Sequence, residues 1–271
     1  MEERKLEEID FHNRRERDRR ESADEEEFIK KYPNKAFYSI NRGPRLATRR
    51  WLESHCKGAT ALDYCCGLGT TTLELASLGA TVHAIDISGE EIATAKQTAE
   101  DAGYADTTHF YEMDAENMSF PDDMFDVIVC SGVLHHLDLQ HAYPELARVL
   151  KPSGQIIAIE AQGSNPLINL YRRRTPHLRT SWEAEHILSY KQVQEARAFF
   201  STIAVTYFHF FTILAIPFRR APFFTTLLSV LEKVDKVALR LPGMRRMAWQ
   251  MMFILSNPKR LPAQSDGDTG L

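Results

Sequence analysis

Cysteines are few in this sequence of 271 residues, and none is spaced as a metal or disulfide site requires. The four cysteines are Cys56, Cys65, Cys66 and Cys130, and they form no C-x-x-C pair, the spacing typical of zinc and redox sites. We therefore expect no metal site and no disulfide framework. The first residues, MEERKLEEID, also lack an apolar run, so we expect no signal peptide and a cytoplasmic location.

Long uncharged stretches are scarce as well. One such stretch, Ala198 to Phe218, has 21 residues without Asp, Glu, Lys or Arg. Its length would be sufficient for a membrane-spanning helix. Serine, threonine and histidine interrupt it, and we expect a buried strand followed by a loop. No internal repeat or low-complexity tract is present. The composition, 44% hydrophobic and 26% charged, is that of a globular chain with a sizeable core.

Charge is distributed unevenly along the chain. Residues 171–260 carry fifteen Lys and Arg against five Asp and Glu, whereas residues 1–170 carry eighteen against thirty. Two interpretations stay open, namely a basic region that faces an anionic surface or substrate, and scattered solvated charge. Residues 1–31 contain 21 charged side chains. For them we expect an exposed helix with ion pairs or a partly disordered arm, rather than a core element.

From residue 59 onward, strand patterns alternate with helix patterns. Strands are predicted over 59–65, 80–88, 108–114, 125–132 and 154–161, and helices over 70–79, 89–103 and 141–154. This alternation indicates a parallel sheet with helices on both faces. After Ala161 the sequence predicts a helix over 189–200, a sixth strand over 201–211, a proline-punctuated insertion from Ile216 to Arg246, and a closing strand over 247–256.

We therefore predict an α/β fold with a Rossmann-like, seven-stranded, mostly parallel sheet flanked by helices. The predicted organisation has four parts. These are a charged N-terminal arm and candidate lid (1–44), the core (45–161), a C-terminal completion of the sheet with an insertion at about 212–246 (162–261), and a flexible tail (262–271).

The loops after the strands carry the residues with chemistry, because ligands of such sheets bind beyond the carboxyl ends of the strands. LDYCCGLGT places Gly67 and Gly69 between the first strand and a helix, where glycines allow a ligand to approach the backbone. The second strand ends at Asp86, where a carboxylate can accept hydrogen bonds from ribose hydroxyls. The third ends at Asp114 and Ala115, which can receive an adenine.

Four segments, in this order, resemble class I S-adenosylmethionine-dependent methyltransferases: ALDYCCGLGT, VHAIDIS, DAENMSFPDDMFDVIVCSGVLHHL and LARVLKPSGQIIAIE. The first is similar to the ubiquinone/menaquinone C-methyltransferase branch. The resemblance covers about residues 45–161 and implies S-adenosylmethionine as the cofactor. Its implied cofactor-binding residues are Asp63, Cys65, Cys66, Gly67, Gly69, Asp86, Ile87, Asp114, Ala115, Ser131 and Gly132. Where Cys65 stands, the family usually has glycine.

The motifs identify the cofactor better than the acceptor, because methyl transfer needs no universal catalytic residue. His135 and His136 are the candidate catalytic bases, and packing or cofactor positioning is the alternative for both. Tyr32, Phe37 and Tyr38 are candidates for a lid, and packing of an entry helix onto the sheet is the alternative for them. The basic and apolar insertion either lies on a membrane surface, caps an apolar pocket, or packs against the sheet.

The resemblance and these residues together favour transfer of a methyl group to a small, hydrophobic acceptor such as a quinone, lipid or aromatic natural product. The partners expected are therefore that small molecule and a peripheral membrane contact. An RNA methyltransferase that uses YRRRTPHLR is a second hypothesis, although no RNA-binding module is recognisable, so nucleic acid is not an expected partner. A non-catalytic, methyltransferase-like binding protein is a third hypothesis.

Overall fold

The computed structural model describes residues 2–178 and 180–260. The tail predicted for 262–271 lies outside the described residues. Seven strands form one sheet. They are β1 (Thr60–Tyr64), β2 (Thr81–Asp86), β3 (Thr108–Glu112), β4 (Phe125–Ser131), β5 (Leu150–Ala161), β6 (Phe200–Phe208) and β7 (Gln250–Pro258). Each predicted strand is present, within a few residues of its predicted ends.

The strand order is β3-β2-β1-β4-β5-β7-β6. Strands β1 to β5 pair in parallel, and β7 is antiparallel to both of its neighbours, β5 and β6. The prediction of a seven-stranded, mostly parallel sheet is confirmed. Successive strands run outward from β1 to β3, and the chain then returns to place β4 on the other side of β1. The crevice at this reversal, beyond the carboxyl ends of β1 and β4, is where ligands of such sheets bind.

The helices of the described chain are α1 (Glu3–Glu21), α2 (Glu25–Lys31), α3 (Arg42–His55), α4 (Thr70–Ser77), α5 (Gly89–Asp101), α6 (Leu139–Val149), α7 (Pro166–Arg174), α8 (Ser181–His186), α9 (Tyr190–Glu195), α10 (Phe224–Ala238) and α11 (Pro242–Arg245). Neighbouring side chains of a strand point to opposite faces of the sheet. Leu62 and Tyr64 of β1 accordingly pack in one apolar cluster with α6. Ala61 packs in another cluster, with α3 and α4.

The N-terminal arm differs from the expectation of an exposed or disordered segment. Residues 3–21 do form a helix, α1, in which Arg20 pairs with Glu16 one turn away. However, Phe11 and Glu16 are buried. Arg4 pairs with Glu116 in the loop after β3, with 2.7 Å between Nη2 and Oε2. The charges that suggested solvation are therefore used partly for contacts with acidic groups of the core.

The insertion between β6 and β7 is helical and packs on one side only. The buried carboxylate of Asp235 in α10 accepts hydrogen bonds from the backbone N–H groups of Phe210, Phe211 and Thr212. Leu228 joins a small apolar cluster with Ile40, Ile168, Ala215 and Trp249. Among residues 2–178 and 180–260, no helix combines the length and the apolar character that crossing a membrane requires.

Candidate active site

The loop from Cys65 to Gly69 joins β1 to α4 and has a left-handed backbone at three positions. The φ angles are +58° at Cys65, +51° at Gly67 and +77° at Gly69. A Cβ atom on Gly69 would lie 2.9 Å from the Cβ of Ala95, closer than packed carbon atoms approach. Glycine is therefore required at residue 69 by both conformation and space. The glycine that the resemblance implies at position 65 also has a physical reason, because the φ of Cys65 is positive.

Two aspartates stabilise this region, Asp86 through the loop and Asp63 through the start of α4. Oδ2 of Asp86 accepts a hydrogen bond of 2.9 Å from the Gly67 N–H, and Oδ1 accepts one of 2.9 Å from the Ser88 N–H. Oδ2 of Asp63 accepts one of 2.6 Å from the Thr72 hydroxyl. Burial raises the pKa of Asp63 to about 7. Burial also raises the pKa of Asp86, and nearby Glu91 raises it further.

The paired cysteines are part of this loop and contribute to its packing. Cys66 is buried and Cys65 packs against the main apolar cluster. Burial, followed by the charge of nearby aspartates, raises the pKa of both thiols. Since the thiolate is the reactive form, these cysteines are placed as small packing residues rather than as nucleophiles.

Helix α1 lies over the next part of the predicted cofactor site. Nζ of Lys5 is 2.7 Å from Oδ2 of Asp114. Asn13 accepts a hydrogen bond of 2.6 Å from the Ser88 hydroxyl. Ala115 is buried and accepts a hydrogen bond at its carbonyl from Tyr64. Ile87, which follows β2, is half-buried. The residues predicted to contact ribose and adenine are therefore neighbours, with α1 against them.

A cavity of about 1210 Å³ opens beside the loop. Ser131 and Gly132, at the end of β4, line one wall together with Thr70 at the start of α4. Gly132 has a φ of +71°, and a Cβ there would meet no atom within 4 Å. Ser131 and Gly132, which were predicted to contact the methionine end of the cofactor, therefore line the cavity. Asp86 and Asp114, which were predicted to contact its adenosine end, lie under α1 instead.

Both candidate histidines, His135 and His136, line this cavity from the turn after β4. Nδ1 of His135 is 2.7 Å from Oε2 of Glu160, which is fully buried in β5. The other oxygen of Glu160 accepts the N–H groups of Val133 and Leu134, each at 2.8 Å. Burial alone would lower the pKa of His135, but the adjacent Glu160 charge outweighs it and the pKa is raised.

Glu160 is the residue of this site that the sequence analysis missed. Its signal was present, because a glutamate interrupts the apolar strand in GQIIAIEA, and buried charges are paired or hydrogen-bonded. Since Glu160 can only accept hydrogen bonds while ionised, His135 holds its proton on Nδ1 in its neutral form. The unprotonated nitrogen of that ring is then Nε2.

His136 has a different environment, formed largely by α1. Its Nδ1 is 3.0 Å from Oε2 of Glu8, and its ring is 5.4 Å from that of His12, centroid to centroid. Burial, followed by the neighbouring His135, lowers the pKa of His136. The backbone carbonyl of His136 accepts a hydrogen bond from Arg4.

Part of the cavity wall is aromatic. Phe37, Tyr38 and Trp249 line it, and the ring centroids of Phe37 and Trp249 are 5.3 Å apart. Of the three residues predicted as a lid, Tyr32 is not at the cavity, because it is buried and its hydroxyl donates to Asp18. Arg172, within the YRRRTPHLR run, is buried and donates to the Gln162 carbonyl, so that part of the run serves the fold.

Comparisons with known proteins agree with this geometry. Residues 62–158 match the methyltransferase domain family. A demethylmenaquinone methyltransferase from Bacillus licheniformis is 32% identical over 149 residues, which are 52% of this chain and 63% of the relative. A 2-phytyl-1,4-naphtoquinone methyltransferase from Nostoc punctiforme is 33% identical over 136 residues, 46% of this chain and 59% of the relative. The chain thus spans less than two thirds of either relative.

A solved structure of a geranyl diphosphate methyltransferase in complex with SAM shares the fold. Its TM-score is 0.55 and its sequence identity is 16%, and the match covers 82% of this chain and 90% of that one. The motif order, the sheet topology and the family match agree with one another. Residues 62–158 of this chain therefore match a methyltransferase domain, and its sheet has the fold of that solved methyltransferase.

Proposed function

We propose that this chain binds S-adenosylmethionine and transfers its methyl group to a small, hydrophobic acceptor in the cavity beside the Cys65–Gly69 loop. One observation carries the proposal. The left-handed loop, held by Asp86, lies at the strand reversal beside a cavity that is lined in part by aromatic side chains. Names of relatives at about one-third identity, which include quinone-type methyltransferases, support the acceptor class.

The residues present fit the cofactor. Asp86 uses each oxygen for one backbone N–H, and a carboxylate oxygen has capacity for a further donor, so ribose hydroxyls can donate there. Gly67 and Gly69 leave no side chain between the loop and a ligand. When bound, the cofactor supplies an electrophilic methyl group. The residues of this chain then position the acceptor and exclude water.

His135 has a defined part in this proposal. Its neutral ring keeps the proton on Nδ1, toward Glu160, and therefore has an acceptor nitrogen at Nε2. For a phenol or enol acceptor, which must lose a proton as the methyl group arrives, His135 is the proposed proton acceptor. Glu160 is a positioning residue, because it acts through the ring of His135.

Cofactor binding is tested by isothermal titration with S-adenosylhomocysteine and S-adenosylmethionine. We expect Asp86→Asn to weaken binding about tenfold to a hundredfold, because it removes a charge from a hydrogen-bonded pair. Asp106→Asn, in the exposed turn before β3, is the matched control and should bind as the wild type does. A wild-type chain that binds neither ligand would contradict the proposal.

Transfer is tested by measuring S-adenosylhomocysteine formation with a short-chain reduced demethylmenaquinone, and in parallel with total RNA at low and high salt. Turnover on the quinol supports the proposed acceptor class. Salt-sensitive turnover on RNA alone would favour the RNA hypothesis instead. Tight cofactor binding without turnover on any acceptor would favour the non-catalytic alternative.

Peripheral contact with a lipid surface is the remaining part of the proposal. Val230, Val234 and Val237 of α10 are exposed and lie on one side of the helix by their spacing. Lys233 and Arg240 are exposed nearby. An apolar strip bordered by basic side chains suits an anionic membrane, where a hydrophobic acceptor would also dissolve.

Flotation with phosphatidylglycerol vesicles tests this contact, with phosphatidylcholine vesicles for comparison. The double variant Val234→Glu/Val237→Glu should float less with the anionic vesicles, because it places charge in the apolar strip. Gln97→Glu, on exposed α5, adds charge elsewhere and should float as the wild type does. Equal flotation of all three proteins, or none of the wild type, contradicts a contact through α10.

A further inference from the structure

Three side chains that could bind a metal ion converge where α1 meets the turn after β4. They are Glu8 and His12 of α1, and His136. Glu8 and His12 are four residues apart, so they project from the same face of the helix. All three donor atoms lie within 4.8 Å of one another. The sequence predicted no metal site, because its cysteines form no C-x-x-C pair and these three ligands are distant in the chain.

The distances suit an ion. Oε2 of Glu8 is 3.0 Å from Nδ1 of His136 and 3.7 Å from Nε2 of His12. Two donor atoms that are each about 2.1 Å from one ion, at octahedral or tetrahedral angles, lie about 3.0 to 3.4 Å apart. Both separations are therefore within about 0.3 Å of this range, and the separation between the two histidine donors is no more than 4.8 Å.

Two of these donor atoms also lack hydrogen bonds within the described part of the chain. Oε2 of Glu8 and Nδ1 of His136 are buried, and among residues 2–178 and 180–260 neither has a partner of hydrogen-bond geometry. Glu8 is only 6% exposed, and its other oxygen, Oε1, accepts a hydrogen bond from Thr180. Such unsatisfied buried atoms are rare and costly in proteins. An ion bound between them would satisfy both.

The surroundings support the histidine ligands. Nδ1 of His12 is 3.5 Å from Oε1 of buried Glu91, a carboxylate that can hold the ring proton on Nδ1 while Nε2 faces the ion, as metal-bound histidines generally require. Nη2 of Arg15 donates a hydrogen bond of 3.0 Å to Nδ1 of His12, and this bond breaks when Nδ1 carries the ring proton. Arg4 donates a hydrogen bond to the backbone carbonyl of His136 and so holds the turn that carries this histidine.

From this arrangement we propose a binding site for a divalent first-row transition ion, with Glu8, His12 and His136 as its protein ligands. Two imidazoles and one carboxylate favour Zn²⁺, Mn²⁺ or Fe²⁺ over Mg²⁺, which prefers oxygen ligands. Three protein ligands leave coordination positions open. His12 and His136 both line the cavity, so the open positions face the proposed acceptor.

The site deepens the proposed function without depending on it. An ion there binds an acceptor oxygen and, as a Lewis acid, stabilises negative charge on it during methyl transfer. It also fastens α1 to the core, since two of its three ligands belong to α1. Binding of the ion can be measured in the absence of any cofactor or acceptor.

The test is isothermal titration of the full, chelator-treated chain with Zn²⁺, Mn²⁺ and Mg²⁺, each with and without S-adenosylhomocysteine. We expect one Zn²⁺ per chain, with Mg²⁺ binding at least a hundredfold weaker, and a thermal midpoint raised by several degrees by saturating Zn²⁺. Zinc binding without S-adenosylhomocysteine binding would support the site while contradicting the proposed function, so the two failures are distinguishable.

Three single variants, Glu8→Gln, His12→Gln and His136→Gln, should each lower zinc affinity at least tenfold and abolish the thermal shift. His141→Gln is the matched control, because His141 is an exposed histidine in α6 outside the cluster. Circular dichroism and the zinc-free thermal midpoint identify any variant that fails to fold. Co²⁺ absorption spectra of the folded variants then report directly on the ligands.

Three results would overturn the assignment. The first is no stoichiometric binding by the wild type, and the second is binding that all three variants retain. The third is binding lost in His135→Gln and Glu183→Gln but retained in Glu8→Gln and His12→Gln. That pattern would place the ion at the adjacent group of His135, His136 and Glu183.

Discussion

The two ends of the proposed site are built in different ways. The end proposed for the cofactor consists of loops that directly follow β1, β2, β3 and β4, so each of its residues lies next to a strand that fixes it. The acceptor end is assembled from separate segments, including α1, the turn with Phe37 and Tyr38, and Trp249 before β7. Geometry at the first end is set by local sequence. Geometry at the second end is set by tertiary packing, and that end can change while the cofactor loop is retained.

The largest effect expected from a single substitution is at the cofactor loop. Gly69→Ala combines a left-handed backbone with a Cβ that would lie 2.9 Å from Ala95. We expect it to lower the free energy of unfolding by about 3 kcal/mol and to weaken S-adenosylhomocysteine binding. Urea unfolding and calorimetry measure the two effects.

Gly103 provides the matched control for Gly69. Its φ is +80°, but a Cβ there would meet no atom within 4 Å. Gly103→Ala should therefore cost only about 1 kcal/mol, from backbone conformation alone. Equal costs at the two positions would mean that the contact between the loop and α5 is not the reason why residue 69 is a glycine.

At the acceptor end, Glu160→Gln should separate catalysis from binding. The amide cannot hold the His135 proton as the carboxylate does, so we expect the methyl-transfer rate to fall about a hundredfold. The affinity for S-adenosylhomocysteine should be unchanged, because the hydrogen bonds described for the Glu160 carboxylate all go to the turn after β4. Rapid-quench measurements with the quinol probe report the rate, and a fall in affinity with an unchanged rate would contradict this division.

The pH dependence of stability tests Asp63, whose pKa is raised to about 7 by burial. Because the folded state then binds a proton that the unfolded state releases near pH 4, stability falls as the pH rises between those values. Asp63→Asn should lack this slope, which amounts to about 1.4 kcal/mol per pH unit between pH 5 and 7. Urea titrations of both proteins at pH 5, 6, 7 and 8 measure it. Parallel curves would show that Asp63 ionises normally in the fold.

The smallest effect is expected at the paired cysteines. Cys65→Gly relieves a positive φ at the cost of backbone entropy and some packing, so stability should change by no more than about 1 kcal/mol. Cys66→Ala should also retain cofactor affinity and turnover. Loss of turnover with cofactor affinity retained, in either variant, would mean that a thiol takes part in the reaction.

The sequence was sufficient for the regions whose structure depends on neighbouring residues. The strands, the helices between them and the turn glycines follow from periodicity and from conformational requirements, and the seven-stranded sheet is as predicted. Asp63, Asp86 and Asp114 were placed at the strand ends because the strands were placed correctly. Whether they bind the cofactor is for the calorimetric measurements to decide.

Contacts between distant segments could not be read in this way. The charged composition of residues 1–31 indicated solvation, yet Glu8 and Phe11 are buried against the core, because their partners lie far along the chain. Glu160 was passed over as part of an apolar strand, and its role depends on a turn that a different strand supplies. Nothing in the periodicity of either segment specifies which partner it meets.

The ion pair between Lys5 and Asp114 bears on how quickly the enzyme could release its product. Under the proposed function, the adenine amine needs the carboxylate that Lys5 contacts, so each exchange of spent for fresh cofactor requires α1 to shift. Salt weakens ion pairs of this kind, and product release limits turnover in many enzymes. Ionic strength should therefore change both the affinity of this chain for its cofactor and the residence time of the product.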